Sequence, residues 1–558
     1  MSNSSLTFTS LRTLFDSVFH SGGENSGLSY LAAVKDHPHE LVLGLLTLIG
    51  ARYIHKTLQK ANAFSNLDGP KPVSLIWGDE ELLFNFENSL LIHEELLNRY
   101  GSVCRLKGAL GEDRLWLADP RAMSDIILKG FDYFHEPEGF IAWTKLAFGP
   151  SIIATIGHKH KIQRKILNPV FTAAHMRNYI VTAKVRAGGG STGVVDIYTW
   201  MSNVALEMIG QAGVGHSFGV MENKEPEYLD VSRQVFMWYI RPFLPTLMKI
   251  GPARFRRFVV DRISFEPVRQ FQKAADIMAK IATEIYTQKK QALSNGTLES
   301  EVAAGNDIIS MLLKQNEVVP PEEQMTEEEI LSQVNGLIFA GHDTTSGGLA
   351  RTLHLLAQYP CAQDLLRAEV REAHGLYGKD LDYDQLNSLK YLDAVCRESL
   401  RLWSPAQLTE RVAMKDWNLP LQYPVKSKDG NRMITNLHVP KGTHIYYRRQ
   451  TWGEDAEQFN PDRWLQSLPS SVAESKIPGV YSNLMTFSGG PRSCLGFKFS
   501  QLEMKVVLSA LISSFKFELG PEEHTWTAAG VVKPHVRRED GTIDPVPSLR
   551  MKITLVEE

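Results

Sequence analysis

Paired cysteines are missing from this chain. Its 558 residues hold four cysteines, Cys104, Cys361, Cys396 and Cys494, with no close pair among them. Neither a disulfide framework nor a zinc site is indicated. An excess of one charge is missing as well. The 60 Lys+Arg and 63 Asp+Glu leave a formal net charge of −3, which gives no case for nucleic acid as a partner. Gly213-Val-Gly215 lacks a third glycine at the required spacing, so it is not a dinucleotide-binding turn. What the chain does have is bulk. With 43% hydrophobic residues it can bury a large core, and no break in composition divides it cleanly.

Residues 1–40 are polar, and the apolar run Leu41–Ala51 follows, flanked by Arg52, His55, Lys56 and Lys60. Such a run makes about 16 Å of helix, roughly half the hydrocarbon core of a bilayer. Tyr53 and Ile54 lengthen it if Arg52 snorkels to the interface. Residues 1–66 therefore read as an N-terminal segment with a membrane anchor near 41–54, single-pass or interfacial. The basic flank puts the rest on the cytoplasmic side. An amphipathic helix packed on the body is the competing reading. Leu67-Asp-Gly-Pro-Lys-Pro72 breaks any helix and reads as a hinge, which leaves 67–558 as the body.

Within the body, Val103-Cys-Arg-Leu and Arg114-Leu-Trp-Leu-Ala have strand character, and Asp119-Pro120 opens a helix through Ile127. His158 to Pro169 is a basic helix on which His160 and Arg164 share a face. Asp196 to Met208 reads as a helix, and Thr297 to Gln324 as surface helix and loop. The aromatic stretch 236–250 is broken twice by proline. Trp417 to Gly442 suggests a β-hairpin, and further strands are expected from Phe515 onward.

Two stretches carry chemistry. Phe487-Ser-Gly-Gly-Pro-Arg-Ser-Cys494-Leu-Gly496 crowds turn residues around one cysteine and is followed by a helical pattern. Cys494 then lies at a helix N-terminus, where free N–H groups and the helix dipole stabilise a thiolate. Gly490 and Gly496 remove Cβ atoms where the backbone would approach something flat, and Arg492 offers a cation to an anionic group on it. A buried structural cysteine beside a turn is the bland alternative. The second stretch lies within a long helix opened by the capping box Thr326-Glu-Glu-Glu329 and running to about Pro360. At its middle stands Ala340-Gly341-His342-Asp343-Thr344-Thr345. An acid and a hydroxyl in a buried helix are unfavourable for stability, and such residues can widen the helix and admit water beside a ligand. His342 is assigned no role.

Both stretches resemble motifs of the cytochrome P450 superfamily, in its microsomal eukaryotic form. The first matches the haem-ligand signature Phe-x-x-Gly-x-Arg-x-Cys-x-Gly and the second the oxygen-activation motif, each at every fixed position. Glu398-x-x-Arg401 and the later Arg463 match the family's buried charge cluster in order and spacing. The resemblance implies a mainly α fold with a small β region, haem lying between the long helix and the cysteine loop. It implies haem b (iron protoporphyrin IX) with Cys494 as axial thiolate, and Phe487, Gly490, Arg492 and Gly496 around it. Arg164, His160 and Arg411 would be propionate partners, although His160 stands where the family has tryptophan. Asp343 and Thr344 would deliver protons during insertion of one oxygen atom from O2 into a C–H bond. With no flavin or ferredoxin domain in the sequence, electrons are expected from a separate NADPH-dependent diflavin reductase at the endoplasmic-reticulum membrane. The substrate class suggested is a lipophilic molecule of secondary metabolism: terpenoid, sterol or fatty acid. A haem-thiolate isomerase or dehydratase and a non-catalytic haem sensor are the alternatives, and the intact Asp343-Thr344 pair argues against the first.

Overall fold

The computed structural model describes residues 64–556, apart from 169–191, 236–240, 299–306, 448–454 and the positions 75, 86, 88, 221–223, 225, 234, 242, 263–264, 379, 476, 482 and 529. The anchor expected at 41–54 lies outside the described residues. Among those described, no helix is long and apolar enough to cross a membrane.

Helices dominate, and the strands gather into small sheets. The largest has five strands in the order β1-β2-β8-β5-β3, where β1 is Val103–Lys107, β2 Asp113–Leu117, β3 Phe134–His135, β5 Thr409–Ala413 and β8 His444–Tyr447. β1 and β2 pair antiparallel, as their alternation suggests. The hairpin expected from Trp417 is β6 (Trp417–Lys426) with β7 (Met433–Val439). The C-terminal strands are β11 (Phe515–Leu519), β12 (His524–Thr527), β13 (Lys533–Arg537), β14 (Ile543–Pro547) and β15 (Arg550–Leu555). β15 also takes β4 (Thr192–Asp196) on its other edge.

The long helix spans Glu327–Gln358, with the Thr326/Glu329 capping box in place. Its two ends belong to different cores. Ile330, Val334 and Ile338 pack with Trp143, Phe148, Leu206 and Ile309. Leu349, Leu353 and Leu356 pack with the helices Lys390–Leu402 and Phe497–Ser514. These leucines are fully buried, so truncating one to alanine costs about 2–5 kcal/mol. Between the cores the helix carries Ala340–Thr345.

Three expectations need correction. The hinge at Leu67–Pro72 is docked at its start: Leu67 bridges to Ser427, and Arg105 and Lys428 donate backbone N–H groups to Asp68 and Asn66. Phe64 is already buried in the core. The region 297–324 is not all surface, because the helix Ile308–Val318 buries Ile308, Ile309 and Leu312. Its N-cap Asp307 forms a buried pair with Lys289 at 3.1 Å. Finally, the helix does not widen at 340–345; it stays regular there. Wide turns of π type occur instead at Asp125–Lys129 and Ile209–Val214, and Gly341 lets the second of these approach. A Cβ on Gly341 would stand 2.8 Å from Ile209.

Candidate active site

The cysteine loop starts from β10 (Leu484–Gly489). Ser488 and Gly490 both take left-handed backbone, φ 56° and 60°. For serine this costs on the order of 1 kcal/mol, a strain that concentrates at functional turns. The Gly490 position is closed to a side chain by the protein itself, since a Cβ would lie 2.8 Å from the Ile127 carbonyl. The Cys494 N–H donates to the Phe487 carbonyl at 2.8 Å and pins the loop. Gly496 caps the helix Phe497–Ser514, and its N–H donates to the Cys494 sulfur. Gly490 therefore has a reason within the protein, beyond room for a flat ligand.

Burial pushes the Cys494 thiol up, while the Gly496 N–H and the Arg164 guanidinium pull against it. Yet the cysteine is exposed. A sulfur that is deep in the protein and still accessible faces an internal space. The long helix supplies a facing wall. In its largely buried middle, Leu337, Ala340, Gly341 and Thr344 keep partial accessibility, and their three- and four-residue spacing puts them on one face. Leu337 and Leu495 pack on the same Ile308, and the Thr345 and Ser500 hydroxyls are 3.4 Å apart. The Thr344 hydroxyl donates to the Ala340 carbonyl at 2.7 Å. Asp343 is buried and ion-paired with Lys533 of β13 at 2.9 Å.

The predicted propionate partners converge. Arg492 donates to the Thr155 carbonyl at 2.6 Å and pairs with Glu136 at 3.1 Å. Arg411 pairs with the other oxygen of Glu136 at 3.3 Å. Arg164 donates to the carbonyl and hydroxyl of Ser493 at 2.7 and 2.9 Å. Arg492 feels one acid, Glu136, and two further cations, Arg411 and Arg164. Burial, then Arg492 and Arg164, push His160 down to about 3, so it is a neutral imidazole and not a third charge. Three guanidinium groups thus gather beside the cysteine loop, a cationic grouping suited to an anionic partner. An iron porphyrin fits this site: a sulfur aimed into an internal space, an apolar wall opposite, and a cationic rim for two carboxylates.

The charge cluster expected from the sequence is also formed. Glu398 accepts from Arg401 at 2.8 and 2.9 Å, from Trp464 at 2.9 Å and from Arg463 at 3.5 Å. Sequence reasoning missed Lys533 and Glu136. Nothing local marks either one, since each acquires its role from a partner more than a hundred residues away.

A family model described as "Cytochrome P450" matches residues 69–535. Among curated proteins, the chain is 39% identical to cytochrome P450 monooxygenase 212 of Postia placenta, over 91% of this chain and 97% of that protein. It is 37% identical to a ganoderic acid synthetase of Ganoderma lucidum, over 89% of this chain and 96% of that one.

Proposed function

The chain belongs to the cytochrome P450 family and is a monooxygenase, and from that premise we propose that it hydroxylates a lipophilic terpenoid with electrons from a separate NADPH-dependent diflavin reductase. The observation that carries the reading is the pairing of an accessible cysteine sulfur with an acid and a hydroxyl on the facing helix. Cys494 would hold haem b through its thiolate, and the bound group would supply the iron chemistry for O2 activation. Arg492, Arg411 and Arg164 would hold its propionates, with neutral His160 beside them. Thr344 sits on the accessible face and can turn its hydroxyl from the Ala340 carbonyl toward a water in the pocket. Asp343, next to it, can accept a proton and give it back, a general acid–base role worth about 10²–10⁴ in rate. Terpenoids are favoured over sterols and fatty acids because one relative is named for ganoderic acid synthesis. Leu337 and Ala340 keep the wall apolar.

The same reading places the protein on the cytoplasmic side of the endoplasmic-reticulum membrane. Phe243, Leu247, Ile250, Phe255 and Phe258 are exposed, with Arg254 and Arg256 among them. Trp77, near the start of the body, stacks edge-on against Phe243 with centroids 5.6 Å apart. This apolar, basic surface is suited to a lipid interface.

The test titrates the haem-loaded full chain with a panel of terpenoids, sterols and fatty acids. A terpenoid should shift the haem spectrum and, with reductase and NADPH, give a hydroxylated product. A shift confined to fatty acids would overturn the terpenoid assignment. The absence of substrate-dependent NADPH oxidation with any diflavin reductase would overturn the electron route.

A further inference from the structure

His342 and Tyr228 are 3% and 0% exposed, and their ring centroids lie 6.2 Å apart, edge to face. Among the described residues, neither nitrogen of His342 nor the Tyr228 hydroxyl has a hydrogen-bond partner. Leaving such groups unsatisfied costs about 1–3 kcal/mol each. Three in one place is more than a packed interior ordinarily carries, and buried water is the usual remedy. His342 is not on the accessible stripe of Leu337, Ala340, Gly341 and Thr344, so this polar spot is separate from the cysteine-facing wall.

Charged and titratable groups surround the two rings. Asp343 of the long helix acts on both His342 and Tyr228. Lys533 of β13 and Arg233, just after the helix Glu227–Ser232, act on His342. Tyr198, from the helix Ile197–Met208, shares Lys533, Asp343 and Arg233 as neighbours. Arg233 and Lys533 are only partly buried, whereas Tyr198, Tyr228 and His342 have almost no accessible surface.

We propose that Tyr228 and His342 enclose ordered water that feeds protons to Asp343, which makes them positioning residues for the proton step; the proposal rests on the monooxygenase reading of Asp343 and Thr344. Burial holds His342 down to about 4, with Asp343 pulling the other way and Lys533 and Arg233 adding to burial. The ring is therefore neutral at physiological pH. A neutral imidazole offers one N–H donor and one acceptor nitrogen, and the tyrosine hydroxyl offers both, so together they can orient a water chain without trapping its proton. In the step itself, one pocket water gives a proton to a carboxylate oxygen of Asp343 and regains one from the next water. Asp343 then releases that proton on the Thr344 side and returns to its ionised form. Lys533 stays an ammonium throughout, and no electrons move.

The experiment uses the haem-loaded full chain with a diflavin reductase in excess and measures peroxide formed per NADPH oxidised, which needs no substrate. His342→Phe and Tyr228→Phe should each raise that ratio about twofold or more, toward the Thr344→Ala value. His342→Gln, which restores donor and acceptor, should bring it back close to wild type. An unchanged ratio in both phenylalanine variants, together with a raised melting temperature, would mean a dry pocket and overturn the proposal. A gain in the ratio that glutamine does not rescue would assign the effect to packing and overturn it too. If His342→Phe does not hold haem, Tyr228→Phe, which removes one oxygen atom and no carbon, decides alone. An unchanged ratio in Thr344→Ala would instead locate the failure in the underlying relay reading.

Discussion

Lys533→Met isolates the ion pair that holds Asp343. The change keeps most of the side-chain bulk and removes the ammonium 2.9 Å from a carboxylate whose side chain is 7% exposed. Breaking one side of a buried pair costs about 3–5 kcal/mol. Because the Lys533 side chain keeps 16% exposure, water screens part of the interaction, and the lower end, about 3 kcal/mol, is the expected loss. Adding Asp343→Asn removes the stranded charge and should return about 2 kcal/mol. Burial pulls Lys533 down, but Asp343 and Tyr198 outweigh it and hold the ammonium above its ordinary 10.5. A base raised in the folded state stabilises fully below its unfolded value and loses that contribution as pH climbs through the folded value. The gap between wild type and Lys533→Met should thus be steady from about pH 6 to 9 and close above about pH 10.5. For a body of about 490 residues, at roughly 2.1 cal/mol/K per residue, 3 kcal/mol moves the melting point by only about 3 °C. Isothermal urea unfolding is the better assay. A loss under about 1 kcal/mol, or no recovery in the double variant, would refute the reasoning.

Thr344→Ala should leave haem content intact and lower product per NADPH by about tenfold while peroxide rises, less than loss of a full general acid because water partly substitutes; an unchanged ratio measured with excess reductase contradicts the relay. Removing residues 1–63, a cut that spares the buried Phe64, should move the protein from the membrane pellet toward the soluble fraction without loss of haem. Complete retention in the pellet would assign the attachment to the exposed surface around Phe243–Phe258. Cys494→Ser should abolish the thiolate-type spectrum of the reduced, CO-bound protein, and its survival would point to another cysteine. Burial holds Glu503 well above the carboxylate range, and a hydrogen bond from Thr345 pulls more weakly the other way. An acid raised in the folded state stabilises below its unfolded value and loses that contribution as pH rises. Glu503→Gln should therefore gain stability relative to wild type between pH 5 and pH 8, and a parallel pH profile by urea unfolding would count against it.

The residues legible in the sequence were those whose role is set by near neighbours. The turn at Cys494, the capping box at Thr326 and Glu329, and the β1–β2 and β6–β7 hairpins each follow from a dozen or so residues of local pattern. The corrections arise where a distant segment decides. Asp307 looks like a surface acid until Lys289 is brought against it, and Asp343 looks unsatisfied until Lys533 arrives from the C-terminal sheet. His160 has the character of a propionate donor by its helix face, but two arginines and burial strip it of charge. Glu136 carries no motif, yet it links Arg411 to Arg492. Pairing over such separations leaves no periodic trace in one sequence.

The long helix explains why a site so poor in local stability can persist. Its first turn is satisfied by Thr326 and Glu329, a cap worth about 0.5–2 kcal/mol. Leucines buried in one core and isoleucine and valine in another fix its two halves independently. The stretch between carries Gly341, less favourable in a helix than alanine by about 1 kcal/mol. Asp343 and Thr344 beside it add little packing. Because both ends are held by tertiary contacts, the middle is not required to stabilise itself. It can keep a small residue where the Ile209 turn presses in, a hydroxyl on the accessible face, and a charge whose counter-ion comes from another sheet. Asp343 and Thr344 lie at the seam between two cores, where the helix can tolerate residues that add little packing.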